Sequence, residues 1–199
     1  MPPDERRAAI AAATLPLLFE VGANVTTRQI AEAAGIAEGT IFRVFDTKED
    51  VIWAAVEAAF DPAPIQAAIA GIDRSLPLRE RLVLAVAHLQ DRTSRIFQLM
   101  GVMASVGTAR PGPPFPRKPA PELDGLTDLF EPDRAALRCE PHIAAQVLRS
   151  VTFGGTHPMF ITADGVLTPE RIVDLALDGI AAAPGKPSFD PPSHDSRNP

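Results

Sequence analysis

Between Thr26 and Asp50 the chain sets out side chains suited to gripping a phosphate backbone and reading base edges: Arg28, Gly39, Thr40, Phe42, Arg43 and Lys48. If Glu38 to Val44 winds at about 100° per residue, Ile41, Val44 and Phe45 turn inward, with Ile36 just ahead of them. Gly39, Thr40, Phe42 and Arg43 then share the outer face. That face offers a residue without a side chain, a hydroxyl, an aromatic ring and a guanidinium. Such a set allows close approach to phosphates and supplies a reader of base edges. Arg28 and Arg43 are the candidates for base contact, and Thr40, Phe42 and Lys48 for backbone contact.

The elements that must position these residues are legible on either side. Thr26, with Gln29 three residues on, has the spacing of a capping box and starts a helix. Ile30, Ala31 and Ala34 fall on one face of that helix, and Gly35 is the expected residue ending it. Small Ala31 and Ala34 let a second helix cross closely, as a helix-turn-helix requires. Thr47 is the expected N-cap of a further helix opening Lys48-Glu49-Asp50. A cation at Lys48 opposes the positive end of the helix dipole by about 0.3–1 kcal/mol. Either a phosphate partner or plain tolerance of a surface lysine accounts for it.

The run TTRQIAEAAGIAEGTIFRVFDTKED resembles the DNA-binding signature of the tetracycline-repressor (TetR) family, I-A-x-x-A-G-[VI]-x-x-G-T-[LI]-[YF]-x-x-F-x-x-K-E-x-[LV]. The chain matches at Ile30, Ala31, Ala34, Gly35, Ile36, Gly39, Thr40, Ile41, Phe42, Phe45, Lys48, Glu49 and Val51. It departs at Ala37, where the family has Ser, and at Phe42, where Tyr is common. These changes take away a side-chain helix cap and a phosphate-contacting hydroxyl. The resemblance implies an all-α fold, with an N-terminal three-helix DNA-binding unit followed by an α-helical ligand-binding and dimerisation domain. It also implies a double-stranded, palindromic operator, a small-molecule effector, a homodimer and no cofactor.

Charge sets a condition on that reading. The formal net charge is −6. Residues 1–50 hold Arg6, Arg7, Arg28, Arg43 and Lys48 against Asp4, Glu5, Glu20, Glu32, Glu38, Asp46, Glu49 and Asp50. A DNA surface here is therefore a local basic stripe, with modest non-specific affinity. No apolar run approaches the length of a membrane span, and the acidic N-terminus lacks the pattern of a signal peptide. A single cysteine, Cys139, forbids an internal disulfide and fits a cytoplasmic protein.

The rest of the chain reads as helices. Asp4 to about Val21 forms the first, with a kink or break expected near Ala12–Leu15 because of Pro16. The helix after Thr47 runs to Phe60, and Asp61-Pro62-Ala63-Pro64 ends it. The expected domains are 1–60 for DNA binding, 65–183 for ligand binding and dimerisation, and 184–199 as a disordered tail. Helices are expected at Ile65–Ile72, at Leu78–Leu89 continuing or restarting to Val106, around Pro132, from Pro141 to Met159, and from Pro169 to Ala182. Residues 110–121 are half proline and read as a loop. Gly154-Gly155, late in the Pro141 helix, suggests close packing against a ligand or another helix.

Phe97, Met100, Met103, Phe130, Phe153, His157 and Phe160 are the candidate effector lining, since Met and Phe suit adaptable apolar cavities, although the same residues suit plain core. With no Lys or Arg in the set, a neutral, largely apolar effector follows. Val147, Val151, Ile172, Leu175, Ala176 and Ile180 are the candidate dimer contacts, mapped from the resemblance onto the last two long helices. No catalytic residue is assigned: G-x-S-x-G, H-E-x-x-H and phosphate-binding glycine loops are absent. Cys139-x-x-His142 lacks a second ligand pair, so no metal is assigned either.

The sequence thus reads as a one-component transcriptional regulator, a repressor whose operator binding a small apolar effector relieves. Whether the effector induces or co-represses stays open. One rival is a helical ligand-binding protein or enzyme with a vestigial helix-turn-helix, which the acidic balance and the changes at Ala37 and Phe42 favour. Another is a protein–protein module, against which Gly39, Thr40 and Lys48 speak.

Overall fold

Pro3 in the first turn, followed by acidic Asp4 and Glu5, opens α1, Pro3–Val21. The computed structural model describes residues 2–106, 124–161 and 165–180, apart from the side chains of Asp124 and Ile180. The proline-rich stretch 110–121 and the tail 184–199 lie outside the described residues. After α1 come α2 (Thr27–Ala33), α3 (Glu38–Ile41), α4 (Lys48–Ala59), α5 (Ala63–Ala70), α6 (Leu78–Val106), α7 (Asp124–Asp128), α8 (Pro141–Thr156) and α9 (Pro169–Ile180). Short 3-10 turns stand at Gly22–Asn24, Glu131–Ala136 and Pro158–Phe160. Among the described residues the fold is all-α.

The break expected at Pro16 does not occur, because α1 runs through it. Proline leaves the carbonyl four residues back without its helical partner. Ala12 and Pro16 are both exposed, so water can satisfy that carbonyl and the helix survives. The stretches Leu78–Leu89 and Asp91–Val106 form a single helix of 29 residues, α6. Beyond Thr156, His157 leaves the helical region at φ −69° and ψ 126°, so α8 stops short of the expected Met159. Its ring Nδ1 then accepts from the Met159 backbone N–H at 3.1 Å.

Two compact units share the described chain. One holds residues up to Ile65 together with 91–106, and the other holds 66–90 and the described residues from 124 onward. The second half of α6 therefore counts with the N-terminal unit. Leu99 and Met103 from that half join Ile10, Leu18, Val25, Ile30, Ile41, Phe45, Val51, Ile52 and Val56 in one apolar core. Arg92 binds the end of α4, donating to the carbonyls of Phe60 and Asp61 at 2.9 Å each. A cation there answers the negative end of the helix dipole.

In the second unit α8 and α9 pack together. A Cβ on Gly155 would come within 3.2 Å of Ile172 Cδ1 and 3.3 Å of Leu167 Cδ1, so glycine is what lets α9 approach. Buried Arg81 reads as part of an amphipathic helix in the sequence, yet it organises its surroundings. Its guanidinium donates to the Leu129 carbonyl at 3.0 and 3.2 Å, to the Arg74 carbonyl at 3.1 Å, and to Leu76 and Asp133. These bonds hold the loop before α6 against the segment after α7.

Candidate nucleic-acid interface

The helix-turn-helix is built by two reciprocal caps and one glycine. Thr26 accepts from the Gln29 backbone N–H at 3.2 Å, while Gln29 Oε1 accepts from the Thr26 N–H at 2.9 Å, completing the capping box of α2. Gly35 takes φ +65°, a conformation a side chain strains, and Ile36 N–H then returns to the Ala31 carbonyl at 3.0 Å. Thr47 forms a second reciprocal box with Asp50, opening α4. Each box satisfies donors that a helix start would otherwise leave open.

Between the caps lies α3, which is shorter than the expected helix to Val44. Ala37 provides no side-chain cap, and Phe42 at φ −73° and ψ 2° already turns out of the helix. The intended faces nevertheless separate. Ile41 and Phe45 are 0% and 2% exposed, while Phe42 is 51% exposed. Arg28, Gly39 and Arg43 are exposed as well, with Thr40 and Lys48 half-buried. The six candidate DNA contacts therefore all keep some surface within this one unit.

Three contacts at this site were not read from the sequence. Arg7 Nη1 donates to the Val44 carbonyl at 2.8 Å, and its guanidinium lies 4.2 Å from the centroid of the Phe45 ring. Arg7 is thus held by the protein beneath α3, not set out for phosphate. The usable signal was its place three residues before Ile10 on the inward stripe of α1. Lys48 Nζ donates to the Ala23 carbonyl at 3.3 Å, which gives that lysine a third account besides phosphate or tolerance. The Thr27 hydroxyl donates to the Glu38 carboxylate, linking the first turns of α2 and α3.

Comparison with known proteins meets the same region. Residues 10–55 match the family model for bacterial regulatory proteins of the tetR family. Over that stretch the chain is similar to the tetR family. Its likeness to solved TetR structures extends over most of its length. A TetR transcriptional regulator from Streptomyces coelicolor aligns with a TM-score of 0.54 at 25% identity, covering 88% of this chain and 98% of that one. A protein assigned to the TetR family from Mesorhizobium loti aligns with a TM-score of 0.61 at 14% identity, over 92% and 100%. A structure described as the molecular basis for control of antibiotic production by bacterial hormones aligns with a TM-score of 0.55 at 21% identity, over 89% and 98%. No curated protein sequence matches the chain.

The residues assigned from sequence to the effector fall in different units of the chain. Phe97, Met100 and Met103 belong to the first, and Phe130, Phe153, His157 and Phe160 to the second. Met103 packs in the core of the first unit, and Phe130 is fully buried in the second. The His157 ring lies 5.5 Å from Phe153 and 5.4 Å from Phe160, forming a tilted aromatic row. Phe153 and Phe160 are 50% and 64% exposed, so this row stands at the surface of its unit.

The dimer candidates divide by exposure. Ile172 and Ala176 are buried within the chain itself at 0% and 3%, in the core behind α9. Val147 and Val151 are half-buried and Leu175 is exposed. The Ile180 side chain lies outside the described residues. Cys139 is half-buried, and that burial pushes its thiol pKa up, so it is a poorer nucleophile than a free cysteine. Among the described residues no His, Cys, Asp and Glu cluster suits a metal, and no helix is long and apolar enough to cross a membrane.

Proposed function

We propose that this protein is a cytoplasmic repressor that binds a palindromic operator as a homodimer and leaves it when a small, largely apolar molecule binds. The carrying observation is the outer face of α3, where Phe42 and Arg43 stand exposed over the buried Ile41 and Phe45. Arg28 and Arg43 would reach base edges, and Thr40 and Lys48 the backbone. Residues 1–60 would form the DNA-binding domain and 65–183 the effector and dimer domain. The hormone-linked structure among the similar folds is consistent with small-molecule control.

Exposed apolar residues support the dimer. Ile143, Phe153, Met159, Leu167 and Leu175 on α8, α9 and the segment joining them are all more than a third exposed. A second copy would cover such a face about a two-fold axis. The test is a gel shift with duplex DNA flanking the protein's own gene. Lys48→Ala should weaken all sequences alike and lower the salt slope by about one, whereas Arg43→Ala should relax one base position. Equal binding of specific and random duplex by the wild type would contradict the proposal.

A further inference from the structure

Phe42 and Arg43 project from a turn, not from a helix, and something has to hold that turn still. α3 ends at Ile41, and residues 42–44 continue as a turn. Its backbone is tied back to α3 by the Arg43 N–H, which donates to the Thr40 carbonyl at 3.3 Å, and by the Val44 and Phe45 N–H groups, which donate to the Ile41 carbonyl at 3.1 and 3.0 Å. Carbonyls in the last turn of a helical segment have no partner further along it. The Val44 carbonyl finds one on α1, accepting from Arg7 Nη1 at 2.8 Å.

The same guanidinium lies 4.2 Å from the centroid of the buried Phe45 ring. One planar side chain therefore anchors two successive residues, by a hydrogen bond at Val44 and a cation–π contact at Phe45. Arg7 stands three residues before buried Ile10, on the side of α1 that faces the core. Arg43, directly before Val44, is exposed. Its side chain starts from the backbone that Arg7 fixes.

Fixing that backbone matters more to base contacts than to phosphate contacts. A hydrogen bond to a base edge weakens steeply when its angle is lost. Attraction to phosphates acts over about 8–10 Å at ordinary salt and tolerates a loose turn. A residue that steadies the turn acts on sequence preference and leaves general affinity alone.

We infer that Arg7 is a positioning residue for operator recognition: it fixes the turn after α3 through the Val44 carbonyl and the Phe45 ring, so that Arg43 meets one base pair, and does not itself touch DNA. The inference rests on the operator-binding reading above and gives α1 a part in sequence preference.

The test compares the full-length wild type with Arg7→Ala and Arg7→Lys, at a temperature where circular dichroism shows all three folded. In site selection from randomised duplexes, Arg7→Ala should relax the base position that Arg43→Ala relaxes. Its affinity for the wild-type site should fall about fivefold or more, the usual worth of one base pair. Binding to a scrambled duplex, and its salt slope, should stay as in the wild type. In the Arg43→Ala background, Arg7→Ala should cost little more, because the contact it positions is already gone. Arg7→Lys keeps the charge without the planar fork, so it should show the same pattern with smaller losses. A loss shared by both duplexes, with a salt slope lower by about one, would make Arg7 a phosphate contact and overturn the inference. So would full additivity with Arg43→Ala, wild-type behaviour of Arg7→Lys, or an intact site preference in Arg7→Ala, and operator binding would stand in each case. A wild type that enriches no site would overturn both.

Discussion

Arg7 holds Val44: its Nη1 donates to the Val44 carbonyl at 2.8 Å, joining residues 37 positions apart. The same guanidinium lies 4.2 Å from the Phe45 ring centroid. The short α3 has no side-chain cap at Ala37, so its far end is tied instead by a residue of α1. The grip replaces some of the order a longer helix would supply from its own hydrogen bonds.

Arg7→Ala should therefore destabilise the first unit by about 1.5–3 kcal/mol, since a charge-assisted hydrogen bond and a cation–π contact are both removed. Urea unfolding measures this. Arg7→Lys keeps the charge but not the planar fork, and should recover only part of the loss. A stability unchanged in Arg7→Ala would show that α3 needs no such tie.

Leu175 is an exposed apolar residue of α9, with Ile172 and Ala176 buried behind it. Leu175→Asp should give monomers in sedimentation at micromolar concentration while leaving the helical signal of each chain intact. The same change at Ile172 should unfold the second unit, because it would bury an unpaired charge. A Leu175→Asp dimer as tight as the wild type would place the interface elsewhere.

Asp174 accepts from Arg79 at 2.7 and 3.0 Å, linking α9 to α6. That hydrogen bond, assisted by the charge of Arg79, holds the Asp174 carboxyl below its ordinary value of 3.8. A folded-state pKa below the unfolded one means that acid protonates the unfolded chain more readily. The pair's contribution is present above the ordinary carboxylate range and is lost as pH falls through it. Both side chains are about half exposed, so the effect is small and salt-screened. Asp174→Asn should flatten the decline of stability on acidification in low salt, measured by thermal melts across that range. An unaltered slope would mean the pair is not formed in solution.

Much of the interface was legible because local signals agreed. The Thr26–Gln29 spacing, Gly35 and the buried side of Ile41 and Phe45 each specify geometry within a few residues. Helix ends away from such signals were harder to read. Pro16 suggested a break, but exposure of Ala12 decided otherwise, and that depends on which face α1 turns to the core. Arg7, Arg81 and the Thr27–Glu38 link were hidden for a related reason: their partners lie 37, 48 and 11 residues away, and no spacing rule connects them. On α9 Ile172, Leu175 and Ala176 stood together as candidates in sequence, yet only packing against α8 separates buried Ile172 from exposed Leu175.

The central claim is sequence-specific binding of duplex DNA by a dimer. Fluorescence anisotropy of a duplex selected by the full-length protein, titrated alongside a scrambled duplex of equal composition, tests it most directly. The account predicts saturation at two chains per duplex, half-sites centred about one helical turn or a multiple apart, and a preference of about a thousandfold or more over the scrambled sequence. Equal affinity for the two duplexes, or saturation by a single chain, would contradict it.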